Sequence, residues 1–385
     1  MRSIQAQRLT SLPPYLFADL DKKRQAALAR GVDVIDLGIG DPDLPTPDPI
    51  VDALIEAVKD PRTHRYPSYE GLPEFRAAAA RYMQERFGVK LDPDTEICAL
   101  IGSKEGIAHA ALALVEIDDT VLVPSPGYPV YRIGTIFAGG NPVAMPLRAE
   151  NGFLPDFDEI PRVVASRATV MHLNYPNNPT GATADLPFFE RAVEFAARHN
   201  LTLLHDAAYA EVGFDGYRAP SVLQVPGARE RTAEFHSLSK TFNMTGWRIG
   251  FVAGAAAVVG AIGRVKTNVD SGVFSAIQRA GVAALGLPPS VKEGIADVYR
   301  QRRDVVAAGL KKAGLAAPVV KATFYVWFAA PGGDSRAYAN RVLEKAGVVI
   351  TPGVGFGDAG EGYVRIAMCQ SKERLAEAMD RIAAV

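Results

Sequence analysis

The chain has 385 residues, 48% of them hydrophobic and 22% charged, with a formal net charge of −1. That balance excludes a general electrostatic attraction to nucleic acid or to an anionic membrane. The length exceeds what one compact core usually holds, so a large domain with a second, smaller one is expected.

The N-terminal "MRSIQAQRLTSLPPYLF" has no continuous apolar stretch of the kind a secretory signal needs. Cys98 and Cys369 lack the paired spacing of metal ligands and cannot build a disulfide framework. A reducing, cytoplasmic setting is therefore expected. Prolines at 13, 14, 42, 45 and 47 stiffen the early loops. The segment 103–117, "SKEGIAHAALALVEI", carries apolar residues at helical spacing, and "TVLVPS" (120–125) reads as a buried strand. "ATVMHLN" (168–174) is the next strand, followed by a helix over 186–200 and the strand "LTLLHD" (201–206). "RTAEFHS" (231–237) and "WRIGFVAG" (247–254) complete the series. The glycine-rich run "GFVAGAAAVVGAIG" is too short to cross a bilayer. Strands alternating with helices predict an α/β fold, a mostly parallel sheet flanked by helices. After about residue 285 the style changes: a long charged helix (290–314) leads to "KATFYVWFAA", "VVITPG" and "GYVRIAMC", which predicts a smaller α+β domain.

Ligands in open α/β sheets sit beyond the carboxyl ends of the strands. The residues there are "PSPGYPVY" after 120–123, "NYPNNPTG" after 168–173, then Asp206 with Ala207-Ala208-Tyr209, and Ser237-Leu238-Ser239-Lys240. This set suits a phosphorylated, cationic heteroaromatic cofactor held through an imine. Lys240 supplies the amine, and desolvation together with the nearby Arg248 favours its neutral form. A phosphate wants N–H donors at a helix start, hydroxyls and an arginine fork, which Gly102, Ser103, Ser237, Ser239 and Arg248 offer. Asp206 can keep a ring nitrogen protonated, so that the ring acts as an electron sink. Tyr209 and Asn178 can reach the ring hydroxyl, and Tyr128 in "PGYP" can stack on its face. Taken singly, each has a bland alternative: Asp206 as a helix cap, "NPTG" as a turn, Lys240 and Arg248 as surface cations.

"NNPTG", "DAAY" and "SLSK" with an arginine eight residues on together resemble the class I/II pyridoxal-phosphate-dependent aminotransferases of fold type I, over nearly the full length. The resemblance implies pyridoxal 5'-phosphate as cofactor, with Lys240 as the imine-forming lysine and proton shuttle. Asp206 is then the partner of the pyridinium, and Tyr209 and Asn178 bind the phenolic oxygen. Ser103, Lys104, Ser237, Ser239 and Arg248 form the phosphate cup, and Tyr128 stacks on the ring. Tyr66 matches a tyrosine that reaches the neighbouring subunit's phosphate, which implies a homodimer with shared active sites. Arg365 and Gly40 match the residues that hold the substrate's α-carboxylate. The implied domains are a large cofactor-binding unit, 46–285, and a small unit made of 1–45 and 286–385.

Within the family, "RLTSLPPYLFADLDKKR", "IDLGIGDPDLPTP", "YPSYEGLPEFR" and "FHSLSKTFNMTGWRIG" resemble most the LL-diaminopimelate aminotransferase branch. That branch uses tetrahydrodipicolinate and glutamate in lysine biosynthesis. It implies amino acids and 2-oxo acids as partners, Tyr15 as a substrate contact, and Lys104, Tyr128 and Asn178 as residues serving both cofactor and substrate. Where plant-type members carry a substrate-contacting asparagine, this chain reads "TNVDSGVFS" (267–275), with Ser271 the nearest fit. A broader aspartate, alanine or aromatic aminotransferase, or a lyase using the same cofactor, are the alternatives the motifs leave open. A nicotinamide dehydrogenase lacks its glycine fingerprint here, and a cofactor-binding regulator lacks a basic DNA-binding domain.

Overall fold

The computed structural model describes residues 4–10, 12 and 16–385. Its strands, in chain order, are β1 Ile35–Asp36, β2 Ile97–Leu100, β3 Thr120–Ser125, β4 Asn141–Pro146, β5 Ala168–Asn174, β6 Thr202–Asp206, β7 Thr232–Ser237, β8 Gly250–Gly254, β9 Tyr325–Ala329, β10 Val348–Val349, β11 Thr351–Pro352 and β12 Tyr363–Ala367. Seven of them form one sheet in the order β2-β8-β7-β6-β5-β3-β4. From β7 to β4 every pairing is parallel, while β8 runs antiparallel to both β7 and β2. The reversal has a simple cause. A parallel return needs a crossover long enough to hold a helix packed on the sheet. Between β7 and β8 the chain has only the single helical turn Leu238–Thr241 and a turn, so it doubles back.

Apart from the edge strand β4, the strands of this sheet are buried on both faces, which is why they read as continuous apolar runs. Leu203, Phe251 and Ala253 point into one core with Phe75, Phe188 and Phe189, whereas their neighbours Leu204 and Val252 point into the other with Ile107, Val121 and Phe235. Helices Ser103–Leu114 and Leu186–His199 lie on these faces, the latter capped by Asp185, whose side chain accepts from Phe188 N–H. Two strands of this sheet, and β1 outside it, were not read from the sequence. β4 carries Pro142 and Pro146, tolerable because it is an edge strand. β2 is only four residues long.

One expected strand is corrected. "WRIGFVAG" becomes strand only at Gly250, because Trp247 and Arg248 belong to the preceding turn, with Arg248 at φ +54°. The expected helix 103–117 stops at Leu114, and "VVITPG" splits into β10 and β11, which pair with different partners.

The smaller domain holds the antiparallel sheet β11-β12-β9, helices Pro289–Lys312, Ser335–Ala346 and Lys372–Ile382, and a core centred on Tyr299, Phe324, Phe328 and Ile366. The N-terminal β1 pairs in parallel with β10. Leu37 N–H donates to Val349 O, and Ala367 N–H donates to Leu37 O. These bonds fasten Gly38–Gly40 against β12, close to the carboxyl ends of the large sheet. Tyr209, just past β6, packs into the same smaller core. Among the described residues no helix is long and apolar enough to cross a membrane, and both cysteines are buried and unpaired.

Candidate active site

A cleft of about 360 Å³ opens at the carboxyl ends of β5, β6 and β7 and is roofed by the smaller domain. Its lining contains Gly40, Ser103, Lys104, Tyr128, Asn178, Asp206, Tyr209, Ser237, Ser239, Lys240, Arg248 and Arg365. Twelve residues singled out in the sequence, spread from position 40 to 365, thus meet around one space.

Lys240 sits on the turn Leu238–Thr241, which Ser237 caps through its Oγ on Ser239 N–H at 3.2 Å. Its Nζ donates to Gly40 O at 3.0 Å. Burial is the main cause that lowers its pKa from 10.5 to about 8, with Arg248 and Arg365 adding to the effect and Cys369 and Asp41 opposing it. Such an amine is partly neutral near physiological pH and able to act as nucleophile or base.

Asp206 closes β6 and is 5% exposed. Tyr131 Oη donates to its Oδ2 at 2.9 Å and Ala208 N–H to its Oδ1 at 3.2 Å. Burial raises its pKa, and these donors counter that only in part. Among the described residues no basic side chain forms an ion pair with it. A buried carboxylate that faces the cleft with no ion-pair partner of its own among the described residues suits a cationic ligand.

At the other end of the cleft, Gly102 caps helix Ser103–Leu114 with φ +78° and ψ 153°, a conformation essentially restricted to glycine. A Cβ there would lie 2.5 Å from Arg248 Nη2, so the guanidinium rests directly on the helix start. Arg248 donates Nη1–H to Thr245 O at 2.9 Å. Lys104 lies 5.7 Å from the Tyr128 ring, and its pKa is lowered by burial and then by Arg248. Helix N–H groups, Ser237, Ser239 and two cations make an anion cradle.

The third region is set by Arg365 on β12, which is 1% exposed. It donates from Nη1 to Asn178 Oδ1 at 2.7 Å and from Nη2 to Gly38 O at 2.6 Å, with the Tyr325 ring centred 4.2 Å away. Asn178 is held in turn by its own N–H on Asn174 Oδ1 at 2.8 Å.

Some expected residues lie elsewhere. Tyr66 is 86% exposed and does not line the cleft of its own chain. Ser271 is also exposed and outside the cleft. Its neighbour Gly272 packs on Ser68, where a Cβ would meet the carbonyl oxygen at 3.0 Å. The two segments therefore share one surface. Tyr15 lies outside the described residues.

Sequence reasoning missed Tyr131, Asn174, Thr245 and Tyr325, all of which line the cleft. Tyr131 carried a signal, three residues after Tyr128 at the start of a helix. Tyr325 carried none, because its partner Tyr209 is 116 residues away.

The family model for class I and II aminotransferases matches residues 32–382. The LL-diaminopimelate aminotransferase of Moorella thermoacetica is 55% identical over 382 residues, 98% of this chain and 97% of that protein. The substrate-bound structure of BacF from Bacillus subtilis aligns with a TM-score of 0.96 at 38% identity, covering 100% of this chain and 98% of the other. A probable N-succinyldiaminopimelate aminotransferase from Thermus thermophilus aligns with a TM-score of 0.91 at 43% identity, covering 96% and 99%. With nearly the whole chain matched in sequence and in fold, this protein belongs to the class I and II aminotransferases, on the fold-type I architecture.

Proposed function

We propose that the cleft binds pyridoxal 5'-phosphate and that the enzyme exchanges an amino group between LL-diaminopimelate and 2-oxoglutarate, with glutamate as donor in the biosynthetic direction. The observation that carries the cofactor assignment is Asp206, a buried carboxylate with no cationic partner among the described residues, facing the same cleft as the partly neutral Lys240. The Gly102–Arg248 cradle suits the phosphate, and Ser103, Lys104, Ser237 and Ser239 complete it. Tyr128 offers the stacking face.

When bound, the cofactor supplies an electron sink for the pair left behind as an amino acid loses its α-proton. The chain does the rest. Asp206 holds the proton on the ring nitrogen. Asn178 gives its Oδ1 to Arg365, so its Nδ2 is the group left to donate to the phenolic oxygen beside Tyr209. Arg365 forks onto the substrate's α-carboxylate, and the backbone of Gly40 closes over it. Lys240 takes the proton from the α-carbon and returns it to C4′ of the cofactor. The smaller domain, carrying Arg365, shields this transfer from water.

The identity of the substrate rests on the Moorella relative's name and on its 55% identity. The exposed Tyr66 and the neighbouring 270–274 segment form one surface that we assign to completing the cleft of a second copy in a homodimer. We assign Tyr15 to the substrate pocket, residues 1–45 and 286–385 to the small domain, residues 46–285 to the large one, and the enzyme to the cytoplasm.

A panel of donors and acceptors tests the reading, with the cofactor's spectrum followed through each half reaction. Transfer from LL-diaminopimelate to 2-oxoglutarate is expected, with ping-pong kinetics. Turnover of the N-succinylated compound alone would replace the substrate assignment. Release of ammonia without amine exchange would replace the reaction by a lyase.

A further inference from the structure

Tyr325 lies on β9 of the smaller domain, is 2% exposed, and brings its Oη to 3.0 Å from the Oη of Tyr209. Three further contacts fix it there. Its amide N–H donates to Thr323 Oγ1 at 3.1 Å. The Arg365 guanidinium sits 4.2 Å from its ring centre. Its hydroxyl fills the space beside Gly40, where a Cβ would come within 2.0 Å of that oxygen. Any side chain at position 40 would thus push the Tyr325 hydroxyl off Tyr209.

Two phenols share one hydrogen bond, and each has a single proton to donate. The cation over the ring of Tyr325 makes its O–H the more polarised of the pair. We propose that Tyr325 is a positioning residue that donates to Tyr209, leaving the Tyr209 O–H aimed into the cleft at the cofactor's phenolic oxygen. Because Tyr325 comes from the smaller domain and Tyr209 from the end of β6, the bond also ties the smaller domain to the residue that tunes the cofactor. The charged and titratable groups around the pair include Arg365, Asp206, Asp41 and Cys369, together with Tyr131 beside Tyr209, Tyr299 beside Tyr325, and Lys240, which is bonded to Gly40 O in the same cleft. This inference rests on the cofactor assignment above.

The sign of the effect follows from the direction of donation. A hydrogen bond that polarises Tyr209 strengthens its own donation to the phenolic oxygen. Charge drawn off that oxygen weakens its hold on the neighbouring imine proton. Removing the Tyr325 hydroxyl therefore raises the midpoint of the cofactor's visible pH titration.

The test uses the cofactor-loaded enzyme with Tyr325→Phe, which keeps the ring under Arg365 and beside Gly40 and removes one oxygen. The midpoint is expected to rise by roughly half a pH unit, about threefold in proton affinity. Tyr209→Phe is expected to raise it further, and the double variant no further than Tyr209→Phe alone. A Tyr325→Phe enzyme that titrates like the unsubstituted one, or a double variant whose shifts add, overturns the proposal while the cofactor assignment stands. An unsubstituted protein with no visible band refutes the cofactor assignment, and this inference with it.

Discussion

Gly102→Ala tests the anion cradle most directly. At φ +78° and ψ 153° a Cβ strains the backbone by about 1–3 kcal/mol whatever surrounds it. The added carbon would also lie 2.5 Å from Nη2 and 3.0 Å from Cζ of Arg248. The far end of an arginine can swing aside at little steric cost, but it then leaves the helix start. Losing one charge-assisted hydrogen bond to a phosphate costs about 1.5–3 kcal/mol, or roughly 10- to 150-fold in the cofactor's Kd. Urea unfolding of the cofactor-free protein measures the strain, and absorbance titration measures the Kd. Gly227→Ala serves as the control, since Gly227 also has positive φ (+83°) but nothing within 4 Å of a Cβ. It is expected to lose about 1 kcal/mol of stability and to keep its Kd. A Gly102→Ala protein that binds the cofactor within about twofold of the unsubstituted chain would show that the phosphate does not sit on Arg248 and this helix start.

Asp206→Asn is expected to slow transamination by at least about 10²-fold. Burial raises the folded pKa of Asp206, so its contribution to stability is fully present below its unfolded value and fades as pH rises through the folded one. The variant's cofactor-free form should therefore gain stability relative to the unsubstituted chain as the pH rises above about 4 in urea melts, where only the unsubstituted chain must ionise a buried carboxyl. With Lys240 titrating at about 8, roughly a tenth of it is neutral at pH 7. Stopped-flow capture of the cofactor should accelerate up to about pH 9 and then level off, and Lys240→Ala should show no visible band. Arg365→Lys removes the fork and the bonds to Asn178 and Gly38, and kcat/KM for amino acids and 2-oxo acids should fall by about 10²-fold or more. An unchanged kcat/KM would take the carboxylate away from Arg365. Lys266 is fully buried between Glu105 (2.9 Å) and Asp270 (3.2 Å). Lys266→Met removes the cation the two carboxylates share, leaving them His109 and the N–H groups of Ile101 and Gly272, and should cost about 3–5 kcal/mol in chemical denaturation; a loss below about 1 kcal/mol would show that these remaining partners and solvent suffice.

Much of the cleft was legible because strand ends are punctuated by polar residues that a buried sheet does not need. Asp206 follows the buried run "LTLLH", and Ser237 and Lys240 follow another, so their placement at one sheet edge followed from the alternation itself. The strand β8 was less legible. Ile249 and Gly250 continue the apolar pattern back to Trp247, but the tight return from β7 places Arg248 in a turn at positive φ, and local propensity gave no sign of it. β4 was hidden by its two prolines, which only an edge position accommodates. Tyr66 and Ser271 mark a different limit: both lie on a surface that one chain leaves exposed.

What the sequence determined by itself is the chemistry on offer and the layers that carry it: strand and helix periodicities, a lysine among serines, a carboxylate at a strand end. Hydrophobic period and strand-end polarity are local properties, written within a few residues. What only the tertiary structure decided are the contacts between distant segments. Gly40 meets Tyr325, Tyr325 meets Tyr209, and Arg365 meets Asn178, across 285, 116 and 187 positions respectively. Such pairs have no local signature, because their geometry is set by how two separately packed cores dock against each other.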